Sequence, residues 1–551
     1  MSGGPRGILN ARITVDQVPG SYRTAGGGVD ATTRACGGSR WSQNEPAVAM
    51  DPRDPSVLAA GANEYCALIT NPDAWAGYYR STDGGRTWLD SLVPGYQADQ
   101  TTQGSASPTH GLCESAGDPT MAFDPAGRLF YGFICFSRGK AVAGREREPV
   151  NGSTFVATYD RDGARYVRTV LVAKGTRASG IFEDKINLTV DQTAGPTSGN
   201  VYTAWAEFRR GGSGHGPPGA VILFARSTDH GATFSRPVAV TSGLLQEQFA
   251  DLSVGPDGSV DVAYRNARAI WVSRSTDGGR SFGPPELVEA LNEFDSEAFS
   301  GTTNTRDCGD RPYACNTGFT FPRFESQPAV AADASGVHVV WTQELPAGQA
   351  KIFVKSSADG VDWPSTGRAL DGWPLGHQFM PDIGSAGGVI TVAFYDSRND
   401  PAYAPHRPPG NTASGRSSGP AVDVYAARST DGGRSWSEVR VSDVSSVVGY
   451  EITGQRRVPF WGDYLYVSAV PGRAAVAWTD GRDIVPGDDP RETGDDQDAD
   501  GFDVFAPCAN VPSDLGGTAE PTSPSAGDPC LRRGGLDQNI YAAVLPASDR
   551  R

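Results

Sequence analysis

Seven short apolar runs in this chain open on a polar residue, and five of the seven are acids: Glu45, Asp118, Asp251, Asp382 and Asp463, with Lys185 and Gln327 in the other two. Asp184 stands next to the basic member. Each run leads to a second, which ends near Glu64, Glu207, Arg209, Arg265, Asp396, Arg398, Asp480 or Arg482. Carboxylates gathered this way perturb one another and do acid–base work when one is held protonated. The plain alternative is that each acid caps backbone N–H groups, which Asp and Asn do readily.

A second pattern explains why these positions recur. Ser429-Thr430-Asp431-Gly432-Gly433-Arg434-Ser435-Trp436 has close copies at 81–88, 227–234 and 275–282, and a looser one at 357–363. A strand-like stretch leads into each copy. The Asp and Gly predict a tight turn, with Gly supplying positive φ and the Asp carboxylate accepting N–H groups. The closing aromatic opens the return strand and packs beside the sheet. Repetition of such corners identifies a repeat architecture.

These octapeptides resemble the Asp box, or bacterial neuraminidase repeat, of the sialidase superfamily. The resemblance implies an all-β propeller of four-stranded antiparallel blades. Seven openings predict seven blades, with the six of the sialidases as the runner-up. The seventh segment lacks a fourth strand after Asn539–Val544, and the alternating stretch Ile8–Val15 is expected to supply it. The expected organisation is an N-terminal arm, residues 1–44, followed by the propeller, residues 45–551.

Sialidases grip a substrate carboxylate with three arginines and attack with a carboxylate-activated tyrosine. The resemblance therefore implies substrate-binding roles for Arg265, Arg398 and Arg482, with Glu45 and Asp118 beside them. The aligned openings make Asp251, Asp382 and Asp463 the catalytic candidates, and Glu207, Tyr395 and Asp396 are the tyrosine and carboxylates available beside them for such an attack. Arg forks suit an acidic sugar because they bind carboxylates bidentately. The family's Phe-Arg-Ile-Pro signature does not occur, and Phe321-Pro322-Arg323-Phe324 matches it in neither sequence nor place. Two functions therefore stay open: an exo-glycosidase, or a propeller that binds a protein or polysaccharide without catalysis.

In a four-stranded up-and-down blade, the long insertions 90–117, 138–150, 209–219, 290–324, 398–420, 442–461 and 481–538 all fall on the face away from the octapeptides. Elaborated loops on one face are where a ligand is expected. Asp496-Gln497-Asp498-Ala499-Asp500-Gly501-Phe502-Asp503 has the alternating carboxylates and Gly turn of a calcium loop. Asp496, Asp498, Asp500 and Asp503 are the expected Ca²⁺ ligands. Position twelve is Pro507 instead of Glu, so this is no EF-hand.

The net charge of −16 speaks against nucleic acid and anionic membranes as partners. Sparse Met and His do not suggest transition-metal chemistry, and no organic cofactor is expected. The eight cysteines include no CxxC pair. An even count in a loop-rich acidic chain points to disulfides and an oxidising compartment. Their places in the segments give the pairing Cys36–Cys66, Cys113–Cys135, Cys308–Cys315 and Cys508–Cys530, although spacing alone does not fix connectivity. No apolar run is long enough to span a membrane. A secreted monomer, its export signal trimmed, with a carbohydrate or glycoconjugate ligand is the expectation.

Overall fold

The computed structural model describes residues 8–546 except 17, 39–40, 70–72, 139–148, 176–179, 210–218, 242–245, 267, 295–322, 325, 402, 407–408, 410–420, 447–450, 454–455, 459–460, 484–485, 488–505 and 508–537. Among the described residues the regular secondary structure is nearly all β-strand, paired mostly antiparallel. Among the described residues four sheets have four strands, one has five, two have two, and an eight-stranded sheet is two four-stranded units joined by a single parallel bridge, Phe182 to Gly152. The first unit is Gln43–Met50, Leu58–Glu64, Trp75–Ser81 and Leu89–Leu92, with Tyr22–Arg23 added in parallel. The second and third begin at Ser115–Phe123 and Ile181–Val190, the fourth at Gln248–Val254 and the fifth at Ala329–Asp333. The sixth and seventh begin at Gln378–Ala386 and Tyr466–Val470.

Consecutive first strands lie against one another, and that of the seventh unit also lies against that of the first. The seventh unit takes its fourth strand from the N-terminal arm: Asn10, Ala11 and Arg12 pair with Ala543, Ala542 and Tyr541. Without this strand, Asn539–Pro546 would present an unpaired edge. Asn10 Nδ2 donates to the carbonyl of Val441 at 2.8 Å, tying the arm to the sixth unit.

The octapeptides form the turns their residues demand. Ser81 Oγ accepts the N–H of Gly85 at 3.0 Å, and Asp83 Oδ1 accepts those of Arg86 and Thr87 at 2.9 and 3.0 Å. Trp88 then folds back, its Nε1 donating to the carbonyl of Gly85 at 3.1 Å. The turns at Asp277 and Asp431 repeat the carboxylate's two N–H bonds. Slight burial pushes the Asp83 carboxyl up, but the donors from Thr87, Ser81 and Arg86 outweigh it and hold it at about 2.

Between units the seams are apolar. Trp75, Trp205, Trp341 and Trp478 are fully buried. Two expected disulfides are present, Cys36–Cys66 and Cys113–Cys135, with Cα separations of 4.9 and 5.6 Å. Cys308, Cys315, Cys508 and Cys530 lie outside the described residues. Among the described residues no helix is long and apolar enough to cross a membrane.

Candidate functional site

The acidic ring read from the sequence resolves into two tiers, and β-bulges are the reason. Register slips in five first strands, between Asn44 and Ala47, Gly117 and Thr120, Asp184 and Asn187, Gln248 and Asp251, and Phe379 and Asp382. In each bulge one non-glycine residue takes positive φ: Glu45, Asp118, Lys185, Phe249 and Met380, at 51°, 52°, 52°, 56° and 50°. Glu45, Asp118 and Lys185 are thus equivalent to Phe249 and Met380. Asp251 and Asp382 come two residues later, level with Ala47, Thr120 and Asn187. Positive φ costs about 1–3 kcal/mol in such residues. Here it recurs with apolar side chains, so it belongs to the architecture and is not by itself a mark of function.

The upper tier is built around Lys185. Its Nζ is 3.5 Å from Glu45 Oε1 and 3.6 Å from Asp118 Oδ2, and it pairs directly with Asp463. Arg323 Nη1 reaches the other oxygen of Asp463 at 2.6 Å. Asn63 joins two acids, its Nδ2 donating to Glu45 at 2.8 Å and its Oδ1 accepting the Asp118 N–H at 2.9 Å. Gly462, at φ +93°, lets the chain before Asp463 come close to Glu45: a Cβ there would sit 2.8 Å from Glu45 Cγ. The Tyr464 ring lies 5.6 Å from the Lys185 ammonium.

Burial dominates the protonation of this tier. It raises Glu45 well above the usual carboxylate range, against the pull of Lys185. It lifts Asp118 to about 6, again against Lys185 and with Asp184 adding to the rise. The charges of Asp118 and Asp463 raise Glu45 further. Burial also pushes Asp463 up, but Arg323 and Lys185 outweigh it and hold that carboxylate at about 2.

The lower tier is a set of bridges between units. Asp251 accepts from Asn187 Nδ2 at 2.7 Å and from the Val330 N–H at 2.6 Å. Asp382 accepts the Val467 N–H at 2.5 Å. Thr120 Oγ1 accepts the Leu188 N–H at 3.2 Å and lies 2.9 Å from the Tyr466 hydroxyl. Burial lifts the Asp251 carboxyl to about 7, and burial together with the charge of Asp251 lifts Asp382 well above its ordinary value.

A small cavity of about 80 Å³ opens above these bridges, lined by Asp118, Lys185, Phe249, Tyr464, Asp251 and Asp382 among others. A larger one, about 560 Å³, opens below, past Thr189, Ser253, Asp333, Ser385 and Ser468. Asn187, Asp251, Asp382 and Tyr466 line both, so the lower tier is the waist between them. Glu45 and Asp463 line neither cavity and instead support Lys185.

The other expected site residues stand elsewhere. Arg398 is sandwiched between Tyr425 and Trp373, 3.9 and 5.1 Å from their ring centres, and pairs with Asp396, Asp371 and Glu438 at 2.6, 3.0 and 3.0 Å. Arg482 lies 4.1 Å over the Tyr541 ring and pairs with Asp480 and Asp443 at 2.7 and 2.6 Å. Arg265 pairs with Glu293. The three arginines therefore do not form a common clasp. The Tyr395 hydroxyl is buried, accepting the Thr479 N–H at 2.9 Å and donating to the Thr479 carbonyl at 3.2 Å, which leaves it no access to the cavity. Asp396 is buried under Gln378 and Arg398. Glu207 sits across the strand pair from Glu183 and holds Arg209 at 2.6 Å. All six end second strands or follow them, one strand out from the cavity wall. The repeated Asp-x-Arg of 396–398 and 480–482 was the sequence signal for this self-pairing. Asn63, Thr120, Asn187, Gly462 and Tyr466 carried no such signal. Asp496, Asp498, Asp500 and Asp503 lie outside the described residues.

No family model matches the chain. Part of the chain is similar to a sialidase. Over 223 residues, 38% of this chain and 31% of the other, it is 29% identical to a sialidase of Micromonospora viridifaciens. The chain thus covers about a third of that relative's length. Solved structures similar to it include a protein of unknown function from Dyadobacter fermentans, with a TM-score of 0.39, 13% identity, and coverage of 71% of this chain and 94% of that one. A leech intramolecular trans-sialidase gives 0.40 at 13% identity, covering 65% of each chain. A Penicillium chrysogenum alpha-L-arabinanase gives 0.39 at 13% identity, over 71% of this chain and 94% of that one.

Proposed function

We propose that the seven units form a seven-bladed, sialidase-like Asp-box propeller, exported from the cell, that takes a glycan in the cavity above the waist. The observation that carries this reading is the lining of that cavity. Phe249, Tyr464 and Tyr466 offer apolar ring surface, while Asp118, Lys185 and Asn187 offer acceptors and donors beside it. A sugar presents the same pair of features, an apolar C–H face and a rim of hydroxyls, and a cavity with a few convergent polar groups suits it. The partial similarity to a sialidase agrees with a glycan ligand. A glycan array probed with the intact protein tests this: binding that Asp118→Asn and Tyr464→Leu both weaken by about tenfold, or 1.4 kcal/mol, is expected. An array silent throughout refutes it.

One observation favours turnover over simple binding. Asp118 faces the cavity with its carboxyl at about 6, close to where a group both gives and takes protons near neutral pH. In this reading Asp118 is the acid–base residue. Hydrolysis of a fluorogenic glycoside panel with a pH profile centred near 6, lost in Asp118→Asn, is the expected result. Activity indifferent to Asp118→Asn, or none on any glycoside, leaves the non-catalytic binder.

A further inference from the structure

Around Lys185 the acids outnumber the bases. Its ammonium has three protons to donate, and Glu45, Asp118 and Asp463 surround it. Asp184 adds a further carboxylate at the next residue, where it accepts the Lys185 backbone N–H at 3.0 Å. Arg323 directs its Nη1 to Asp463. Beneath them, the waist contributes Asp251, whereas burial favours the protonated, uncharged form of Asp382 and of Glu45. Clasping the carboxylate of an acidic sugar takes a guanidinium fork turned towards the ligand. Arg265, Arg398 and Arg482 turn theirs to Glu293, to Asp371, Asp396 and Glu438, and to Asp443 and Asp480.

We propose that this cavity selects neutral and amino sugars and rejects sugars that carry a carboxylate, with Asp118 as the residue that sets the preference; the proposal rests on the glycan reading above. Asp118 lines the cavity and keeps 13% of its side-chain surface exposed, while its Oδ2 is turned inward, 3.6 Å from Lys185. A hydroxyl or an ammonium of the sugar would donate to this carboxylate. A sugar carboxylate would meet a like charge in a partly desolvated site, where such repulsion is strongest. Specificity of this kind comes from the repelled ligand as much as from the accepted one.

The test is calorimetry on the intact protein with chitosan, cellulose and polyglucuronate oligomers of equal length. The amino oligomer is expected to bind at least about tenfold more tightly than the anionic one at pH 6.5, where its amino groups still carry charge, with the neutral oligomer between them. Salt should weaken the amino oligomer and leave the neutral one unchanged. Asp118→Asn should narrow the gap between amino and anionic oligomers by about tenfold. Should that variant fold poorly, the salt dependence of the native protein decides. Tightest binding of the anionic oligomer overturns the selectivity while leaving the glycan reading standing, and so does a gap that Asp118→Asn leaves unchanged. Silence with all three oligomers and across a glycan array overturns both.

Discussion

Asp251, in the fourth four-stranded unit, accepts the backbone N–H of Val330 in the fifth at 2.6 Å. Asp382 and Val467 repeat the relationship between the sixth and seventh units, and Thr120 and Leu188 between the second and third. A side chain that lines the waist is thus also a bridge across a seam. Asp251→Asn keeps an acceptor for Val330 but turns an NH2 towards the Asn187 amide, and should destabilise less than removal of the side chain. Asp251→Ala leaves a buried N–H unpaired and should cost about 1–3 kcal/mol. Chemical denaturation of the two variants reads the difference, and equal stability would show that the bridge carries no weight.

Stability should fall as the pH rises from about 5 to 8. Burial lifts Glu183 to about 8, Asp251 to about 7 and Asp118 to about 6, from ordinary values of 4.5, 3.8 and 3.8. Between its ordinary and its folded value, each group holds its proton in the folded chain and loses it on unfolding. Stability from these groups is therefore complete at low pH and is lost as the pH passes the folded values. Asp83, Asp229 and Asp463, each held at about 2, act oppositely, and their contribution fades below about 4. A melting temperature highest near pH 4–6 is the expected profile, and a maximum at pH 8 would contradict it.

Both observed disulfides tie down the loops around the first two units, closing segments of 30 and 22 residues. Loops of that size restrict the unfolded chain by about 3 kcal/mol each. Replacing Cys113 and Cys135 by Ser should lower the unfolding free energy by about that amount. Loss of less than about 1 kcal/mol would place the constraint elsewhere.

We also propose that Asp496, Asp498, Asp500 and Asp503 bind one Ca²⁺, on the spacing of their carboxylates. Calorimetry should give a single site that the double variant Asp498→Asn, Asp500→Asn removes. Identical melting curves in calcium and in chelator would refute the proposal.

The local chemistry of this chain was legible in its residues. The octapeptides dictate their turns because Ser, Asp and Gly bond within eight consecutive positions, as Ser81, Asp83 and Gly85 do. Alternation dictates the strands, and Cys36 and Cys66 were placed to meet by the segments that carry them. The arm at Asn10–Arg12 was legible because Asn539–Pro546 needed a partner. What only the tertiary structure decided was which charges share a space. A β-bulge adds a residue without disturbing composition, so Asp251 and Asp382 align with Glu45 and Asp118 in the sequence yet stand in a different tier. Lys185 meets Glu45 and Asp463 across 140 and 278 residues, a convergence that no local pattern encodes. The arginines at the ends of the second strands found carboxylates in or beside their own units first, because a nearby opposite charge in a shared sheet is closer than any ligand on the axis.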